Sequence, residues 1–249
     1  LGATADVGFG EVLDYLAVDP DTRSILLYIE GVTNARSFMS GLRVAARLKP
    51  VIVVKSGRNE SGTRAAVSHT GALVGADRVF DAAIQRAGAV RVKSVGQLFS
   101  AAHLLASGTR VEGSRVAIVT NGGGPGVMAA DRAHDLGVPL ATLGSATVDK
   151  LEQVLPTHWS HSNPVDVLGD ADPERYGKAT ELVLADKDVD GLLVMLTPQS
   201  MTDPAGCADA VIEAAKASTK PVLSCWLGAS LVAEGRQRFA EAGIPQFKS

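Results

Sequence analysis

Short β-branched runs alternate with longer stretches of helical periodicity along this chain, and the alternation begins a second time near its middle. Ser24–Ile29 (SILLYI), Val51–Val54 (VIVV) and Ala89–Val92 read as strands. Glu11–Ala17, Ala35–Leu48, Asp77–Arg86 and Val95–Ala106 repeat apolar residues at i, i+3 and i+4 and read as helices. Strands that are apolar on both faces belong to parallel sheets covered by helices on each side. A polar stretch with two glycines, Ser107–Ser114, then interrupts the pattern. Beyond it, strands are expected at Arg115–Thr120, Pro139–Thr142, Gly191–Leu196 and Pro221–Trp226. Helices are expected at Val127–Leu136, Thr147–Val154, Pro173–Ala185, Asp203–Ala217 and Leu231–Ala242, with an irregular segment running up to Asp172. The fold class is therefore α/β, as two doubly wound parallel-sheet lobes, 1–110 and 111–249. Leu1–Gly10 leads straight into a helix where such a lobe opens with a strand, so the chain reads as a piece of a longer protein whose first strand lies upstream.

Composition closes off several function classes. At 46% hydrophobic residues, 249 residues suffice for two ordinary cores. The net charge of −3 gives no reason to expect nucleic acid or an anionic membrane as partner. No apolar run approaches the roughly 18 residues that span a bilayer. Cys207 and Cys225 fall in a predicted helix and a predicted buried strand, without a CxxC pair, which suits free thiols in a reducing cytoplasm. The five histidines show no metal-ligand spacing, and no metal site is expected.

Open parallel sheets bind ligands beyond the carboxyl ends of their strands, and five such positions hold suggestive residues. Lys55–Gly75 (KSGRNESGTRAAVSHTGALVG) follows the VIVV strand, and a segment of that length without its own periodicity is usually functional or disordered. Within it His69 is surrounded by Ser68, Thr70, Gly71 and Ala72, small enough to let an imidazole enter a phosphate site. Imidazole is largely uncharged near neutral pH and is then a competent nucleophile; the same composition also suits a surface loop with an incidental histidine. Glu30 closes SILLYIEG and is placed to hold a histidine through Nδ1, leaving Nε2 free to attack phosphorus, or simply to be a solvated strand end. Asn121–Gly126 (NGGGPG) offers a close backbone approach and free N–H groups at Gly122, Gly123 and Gly124, although a tight strand-to-helix turn would look alike. Ser162–Asp166 (SNPVD) holds Asn163 extended before a proline, with an amide suited to a carboxylate or phosphate. Thr197–Asp203 (TPQSMTD) places Ser200 near the start of a helix, as an anion contact or part of a plain cap. His158 and His161, beside Trp159, lack a third ligand, and His103 and His134 fall inside predicted helices.

LLYIEG, KPVIVVKSGR, SHTGALVG, FDAAIQRAGAVRV, NGGGPGVMAAD and SNPVDVLGDADPERY together resemble the ADP-forming acetyl-CoA synthetases, relatives of succinyl-CoA synthetase, over essentially the whole chain. The resemblance implies that both lobes are flavodoxin-like. It implies a reversible reaction in which acyl-CoA and phosphate give an acyl phosphate, which phosphorylates a histidine that then phosphorylates ADP. By motif, His69 is that histidine and Glu30 the glutamate that steadies it. Gly122–Gly124 and Ser200 match regions framing the phosphate, and Asn163 an acyl or phosphate contact. The full enzyme would use CoA, ADP or ATP and Mg²⁺, with a Rossmann CoA-binding domain and an ATP-grasp domain on the same protein or a partner subunit. The resemblance also implies a cytoplasmic, homo-oligomeric enzyme, whereas this piece alone should not complete catalysis. FDAAIQRAGAVRV and LPTHWSHSNPVD also resemble bacterial protein lysine acetyltransferases, in which such lobes form an acyl-CoA-sensing region fused to an acetyltransferase domain. Those lobes typically lack the histidine that SHTGALVG keeps here.

Overall fold

The computed structural model describes residues 6–58 and 77–248. His69, and most of the segment containing it, lies outside the described residues. The chain divides into two compact units, Leu1–Gly108 and Thr109–Ser249, each organised around its own parallel sheet.

In the first unit α1 (Phe9–Val18) precedes β1 (Ile25–Ile29), α2 (Ala35–Leu48), β2 (Val51–Lys55), α3 (Asp77–Ala87), β3 (Val90–Val92) and α4 (Val95–Ala106). The strands pair in the order β1–β2–β3, all parallel, with Ile25 opposite Val51 and Ile29 opposite Lys55. β2 is buried at every position, as a central strand covered on both faces must be. On one face Ile25, Leu27, Ile29, Val51 and Val53 meet Leu13, Phe38, Leu42 and Ile84 from α1, α2 and α3. On the other, Ile52 and Val54 meet Leu98 of α4. Helices α1 and α2 cross where glycine faces glycine: a Cβ on Gly41 would stand 2.7 Å from the Gly10 carbonyl oxygen. Asn34 starts α2 by accepting from the Ser37 N–H at 3.0 Å, and Ser94 starts α4 by accepting from the Gln97 N–H at 3.2 Å.

The second unit runs β4 (Val116–Thr120), α5 (Gly123–Asp135), α6 (Ser145–Val154), β5 (Val165–Asp166), α7 (Pro173–Ala185), β6 (Gly191–Leu196), α8 (Pro204–Lys216), β7 (Val222–Trp226), a short 3₁₀ turn (Ala229–Val232), α9 (Ala233–Glu241) and β8 (Gln246–Phe247). Its sheet is parallel in the order β5–β4–β6–β7–β8. The larger core lies between one sheet face and α6 to α9, with Trp159, Tyr176, Trp226 and Phe239 fully enclosed. The opposite face, with Ile118, Met195 and Cys225, packs against Ala129 of α5. Asp172 and Asp203 cap α7 and α8, each followed by a proline in the first turn, where the missing N–H costs nothing.

Three sequence expectations change here. Pro139–Thr142 is no strand: only Leu140 bridges to Val116. The segment expected to be irregular contains β5, and β8 closes the sheet; both are two residues long, too short to carry a period. Helix α5 begins at Gly123, so GGPG forms its first turn rather than a loop ahead of it. Among the described residues no helix is long and apolar enough to cross a membrane.

Candidate functional site

The carboxyl ends of β4, β5 and β6 bring the three singled-out segments of the second unit into view. Thr120 ends β4, and its hydroxyl accepts from the Gly122 N–H at 3.1 Å, which turns the chain immediately into α5. The helix can settle so close because Gly126 lacks a side chain: a Cβ there would lie 2.9 Å from the Thr120 methyl group. No side chain caps α5. Its first-turn N–H groups at Gly123 and Gly124 therefore stand at the positive end of the helix, where an anion is favoured. A Cβ on Gly122 would meet the Thr197 hydroxyl at 3.0 Å, one on Gly123 the Asp166 carboxylate at 3.1 Å, and one on Gly124 nothing within 4 Å. The cradle is open at Gly124.

Thr197, just beyond β6, has a buried hydroxyl with no hydrogen-bond partner. Its backbone is fixed by Asn121, whose amide accepts from the Thr197 N–H at 2.8 Å and donates to the Thr197 carbonyl at 2.9 Å. Asn121 thus ties the exits of β4 and β6 together. Asp166 at the end of β5 accepts from the Leu168 N–H at 2.9 Å, with its other oxygen toward Gly123. Sequence reading missed Thr197 and Asp166. Both lie inside segments that had been singled out, and the signal available was their place at a strand's carboxyl end.

One expected contact is corrected by geometry. The Asn163 side chain is consumed by backbone: it accepts from the Ile118 N–H at 2.9 Å and donates to the carbonyls of Val116 at 3.0 Å and Ala141 at 2.9 Å. It straps β4 to the chain after α5 and has no free amide N–H for a ligand. The Asn163–Pro164 bond is cis. Ser200 is an exposed turn residue just ahead of α8, which begins at Pro204 with Asp203 as its cap. His161 is held by Glu152 at 2.5 Å and by the Thr157 carbonyl at 3.0 Å, which accounts for it without a metal. Among the described residues no group of three or more potential metal ligands exists.

In the first unit the carboxyl ends of β1 and β2 lie side by side, the Ser56 N–H continuing the ladder to the Ile29 carbonyl at 3.0 Å. Glu30 follows β1 directly and is half-buried. Lys55, the last residue of β2, is only 5% exposed. Burial pulls its ammonium below the usual lysine pKa; Asp77 pulls it partly back and Arg91 lowers it further. Sequence reading treated Lys55 as the edge of a loop, because a lysine after VIVV looks like a strand running out into solvent.

An uncapped helix start beyond the carboxyl ends of a parallel sheet lies where α/β proteins bind their ligands. Residues 1–105 match the succinyl-CoA ligase-like flavodoxin domain and residues 116–249 the ligase-CoA domain. The chain belongs to the succinyl-CoA ligase-like family that these two domain models define. It is 40% identical over 247 residues to acetate–CoA ligase [ADP-forming] I of Archaeoglobus fulgidus, covering 99% of this chain and 35% of that protein. It is 35% identical over 253 residues to the alpha subunit of acetate–CoA ligase [ADP-forming] II of Pyrococcus furiosus, covering 100% of this chain and 55% of that subunit. The structure of Ca. Korarchaeum cryptofilum acetyl-coenzyme A synthetase 1 in complex with phosphate and ADP superposes with a TM-score of 0.89 at 32% identity, over 99% of this chain and 54% of that one. The chain spans between about a third and about half the length of these relatives.

Proposed function

We propose that this chain is the flavodoxin-like core of an ADP-forming acyl-CoA synthetase that works through a phosphohistidine. The observation that carries this reading is the likeness over nearly the whole chain, in sequence and in fold, to ADP-forming acetate–CoA ligases. In the proposed sequence a phosphate oxygen attacks the thioester carbonyl, the C–S bond breaks, and CoA leaves as its thiol. His69 Nε2 then attacks phosphorus of the acyl phosphate, releasing the carboxylic acid and forming a P–N bond. The β-phosphate of ADP takes the phosphoryl group and regenerates the imidazole. Mg²⁺ would accompany the nucleotide on an ATP-grasp domain, and CoA would sit on a Rossmann domain of the same protein or a partner subunit, the whole assembling as a homo-oligomer.

The described residues support this assignment through what they offer an anion. Gly122 spends its N–H on Thr120, while Gly123 and Gly124 leave first-turn N–H groups without a side-chain cap at an accessible helix start, and preorganised donors of that kind stabilise charge developing on transferring oxygens. The Thr197 hydroxyl gives a further donor beside Gly122. Glu30 is proposed to fix the tautomer of His69. Ser200 is retained only as an exposed neighbour of this end of the sheet, and Asn163 as a structural strap. The ligase names of the relatives favour a working ligase over the acyl-CoA-sensing region of an acetyltransferase. A reducing cytoplasm fits Cys207, whose thiol burial pushes up to about 12, leaving it inert.

The test is a labelling experiment on the full-length enzyme. With labelled ATP and Mg²⁺ it should acquire an acid-labile, base-stable phosphate that is lost in His69→Ala, and Glu30→Gln should slow its formation by roughly 10²-fold. Label persisting in His69→Ala removes the histidine from the mechanism.

A further inference from the structure

We infer that Lys55 is a phosphoryl-positioning residue, its ammonium holding a dianionic phosphate at the carboxyl ends of β1 and β2. The inference rests on the phosphoryl-transfer reading above and adds to it a cation that composition and motif do not single out.

A lysine is among the residues least often buried unless it is paired. Lys55 is buried without a carboxylate of its own. Its Nζ donates at 3.0 Å to the Ser56 carbonyl and lies 5.6 Å from the centre of the Phe80 ring, and among the described residues it has no ion-pair partner within 4.0 Å. Among the described residues the charged groups that act on it are Asp77 and Arg91. The guanidinium of Arg91 is itself over Phe80 at 5.4 Å, and it takes both carboxylates, Asp77 at 2.5 Å and Asp81 at 3.1 Å. The local carboxylates are thus engaged by the neighbouring arginine, and an ammonium has three donors. One is spent on Ser56. Among the described residues this leaves a buried cation with donors to spare at the end of the sheet where ligands bind, the arrangement expected of a group awaiting an anion. Its position also explains why the residue is lysine: the last position of a strand otherwise made of Val and Ile would pack better with another aliphatic side chain, and the lowered pKa is the cost of departing from that.

The ligand chemistry is a phosphate dianion, supplied either as free phosphate or as the phosphoryl group already on the enzyme. In the full-length enzyme, Lys55→Met should lower the rate of phosphoenzyme formation from labelled ATP by about 10²-fold or more and raise KM for phosphate, with KM for CoA unchanged and the thermal midpoint no lower than in the wild type. Lys55→Arg should recover part of the rate. Unchanged phosphoenzyme formation and phosphate KM in a folded Lys55→Met enzyme overturn the inference. Should that variant fail to fold, the wild-type Lys55 Nζ resonance is titrated instead. Inorganic phosphate, or phosphorylation by ATP, should move its midpoint up by about one pH unit or more; a midpoint that neither moves overturns the inference. A shift with inorganic phosphate in His69→Ala identifies the free anion as ligand, and a shift only in phosphorylated wild type identifies the enzyme-bound group. Label retained in His69→Ala would reject the carrier assignment while leaving the Lys55 result to be read on its own.

Discussion

At the carboxyl ends of the second unit's strands the polar side chains are tied to backbone: Asn121 clamps Thr197, Asn163 straps β4, and Asp166 holds Leu168. What remains for a ligand is main-chain N–H, glycine space and one orphan hydroxyl. At the corresponding end of the first unit the resources are opposite in kind. Glu30 and Lys55 are ionisable, and neither forms an ion pair among the described residues. Fixed dipoles suit a group that must be held in one geometry, since they need no reorganisation. Side-chain charge suits a group that arrives, changes covalent state and departs. The same fold, used twice, presents backbone dipoles at the strand ends of one unit and side-chain charge at those of the other.

The largest expected effect tests the rigidity of the second unit. Asn163→Ala leaves the Ile118 N–H and two carbonyls without partners in a partly buried setting, which should cost roughly 3 kcal/mol. Denaturant titration measures the loss, and hydrogen exchange should rise in peptides of β4 and in the stretch around Ala141. A loss below about 0.5 kcal/mol would mean the amide is free after all and would restore it as a ligand candidate. Next comes the first unit, whose stability leans on a helix crossing instead. Gly41→Ala drives a methyl group against the Gly10 carbonyl and should cost about 2 kcal/mol while leaving exchange in β4 unaltered. If it proves neutral, the crossing is looser than the contact between the two glycines implies.

How far the sequence foretold this division differs between residues for physical reasons. Strands β1, β2, β4, β6 and β7 were legible because each is a five- or six-residue strand made mostly of apolar residues. β5 and β8 were not, being two-residue strands stabilised by their neighbours in the sheet. GGPG read as a loop because glycine and proline disfavour helix interiors, yet they suit a first turn, where the N–H groups lack partners anyway. Asn163 was noticed for the right reason and given the wrong task, since only the fold shows that Val116, Ile118 and Ala141 come within its reach. Lys55 was invisible as a site: charge in sequence reads as exposure, and its burial emerges from α3 closing over the end of β2.

A smaller effect separates stability from activity within the cradle. Gly124→Ala places its methyl group in open space and relieves a glycine in a helical first turn, so the chain should gain between zero and about 1 kcal/mol. The same methyl group narrows the approach of an anion, and phosphoenzyme formation should fall. Equal activity with raised stability would show that Gly124 serves the turn and that the phosphate sits elsewhere.

The weakest effects, and those that most directly contrast the two units, lie in pH dependence. In the second unit Asp190 accepts from the Arg115 side chain at 2.7 Å and from the N–H groups of Ser114 and Arg115 at 2.9 and 2.8 Å, which hold its carboxyl far below the usual range. A carboxyl depressed in the folded state contributes stability above its unfolded pKa, about 3.9, and that contribution fades as pH falls toward the folded value. His161 is raised by Glu152; its contribution is complete below about 6.5 and disappears as pH climbs through the folded value. His161 is solvent-exposed, so its change is small, while Asp190 is partly covered and its change is the larger of the two. Lys55 has the opposite linkage. Its folded pKa is lowered chiefly by burial, so the unfolded chain binds the proton more tightly, and the first unit should gain stability as pH rises toward 10.5. Hydrogen exchange read separately for peptides of the two units, across pH, distinguishes these slopes once the intrinsic exchange rate is divided out. Asp190→Asn should flatten the acid limb of the second unit, Glu152→Gln the neutral limb, and Lys55→Met the alkaline rise of the first. An alkaline rise that survives Lys55→Met would place the buried proton-binding group somewhere other than the end of β2.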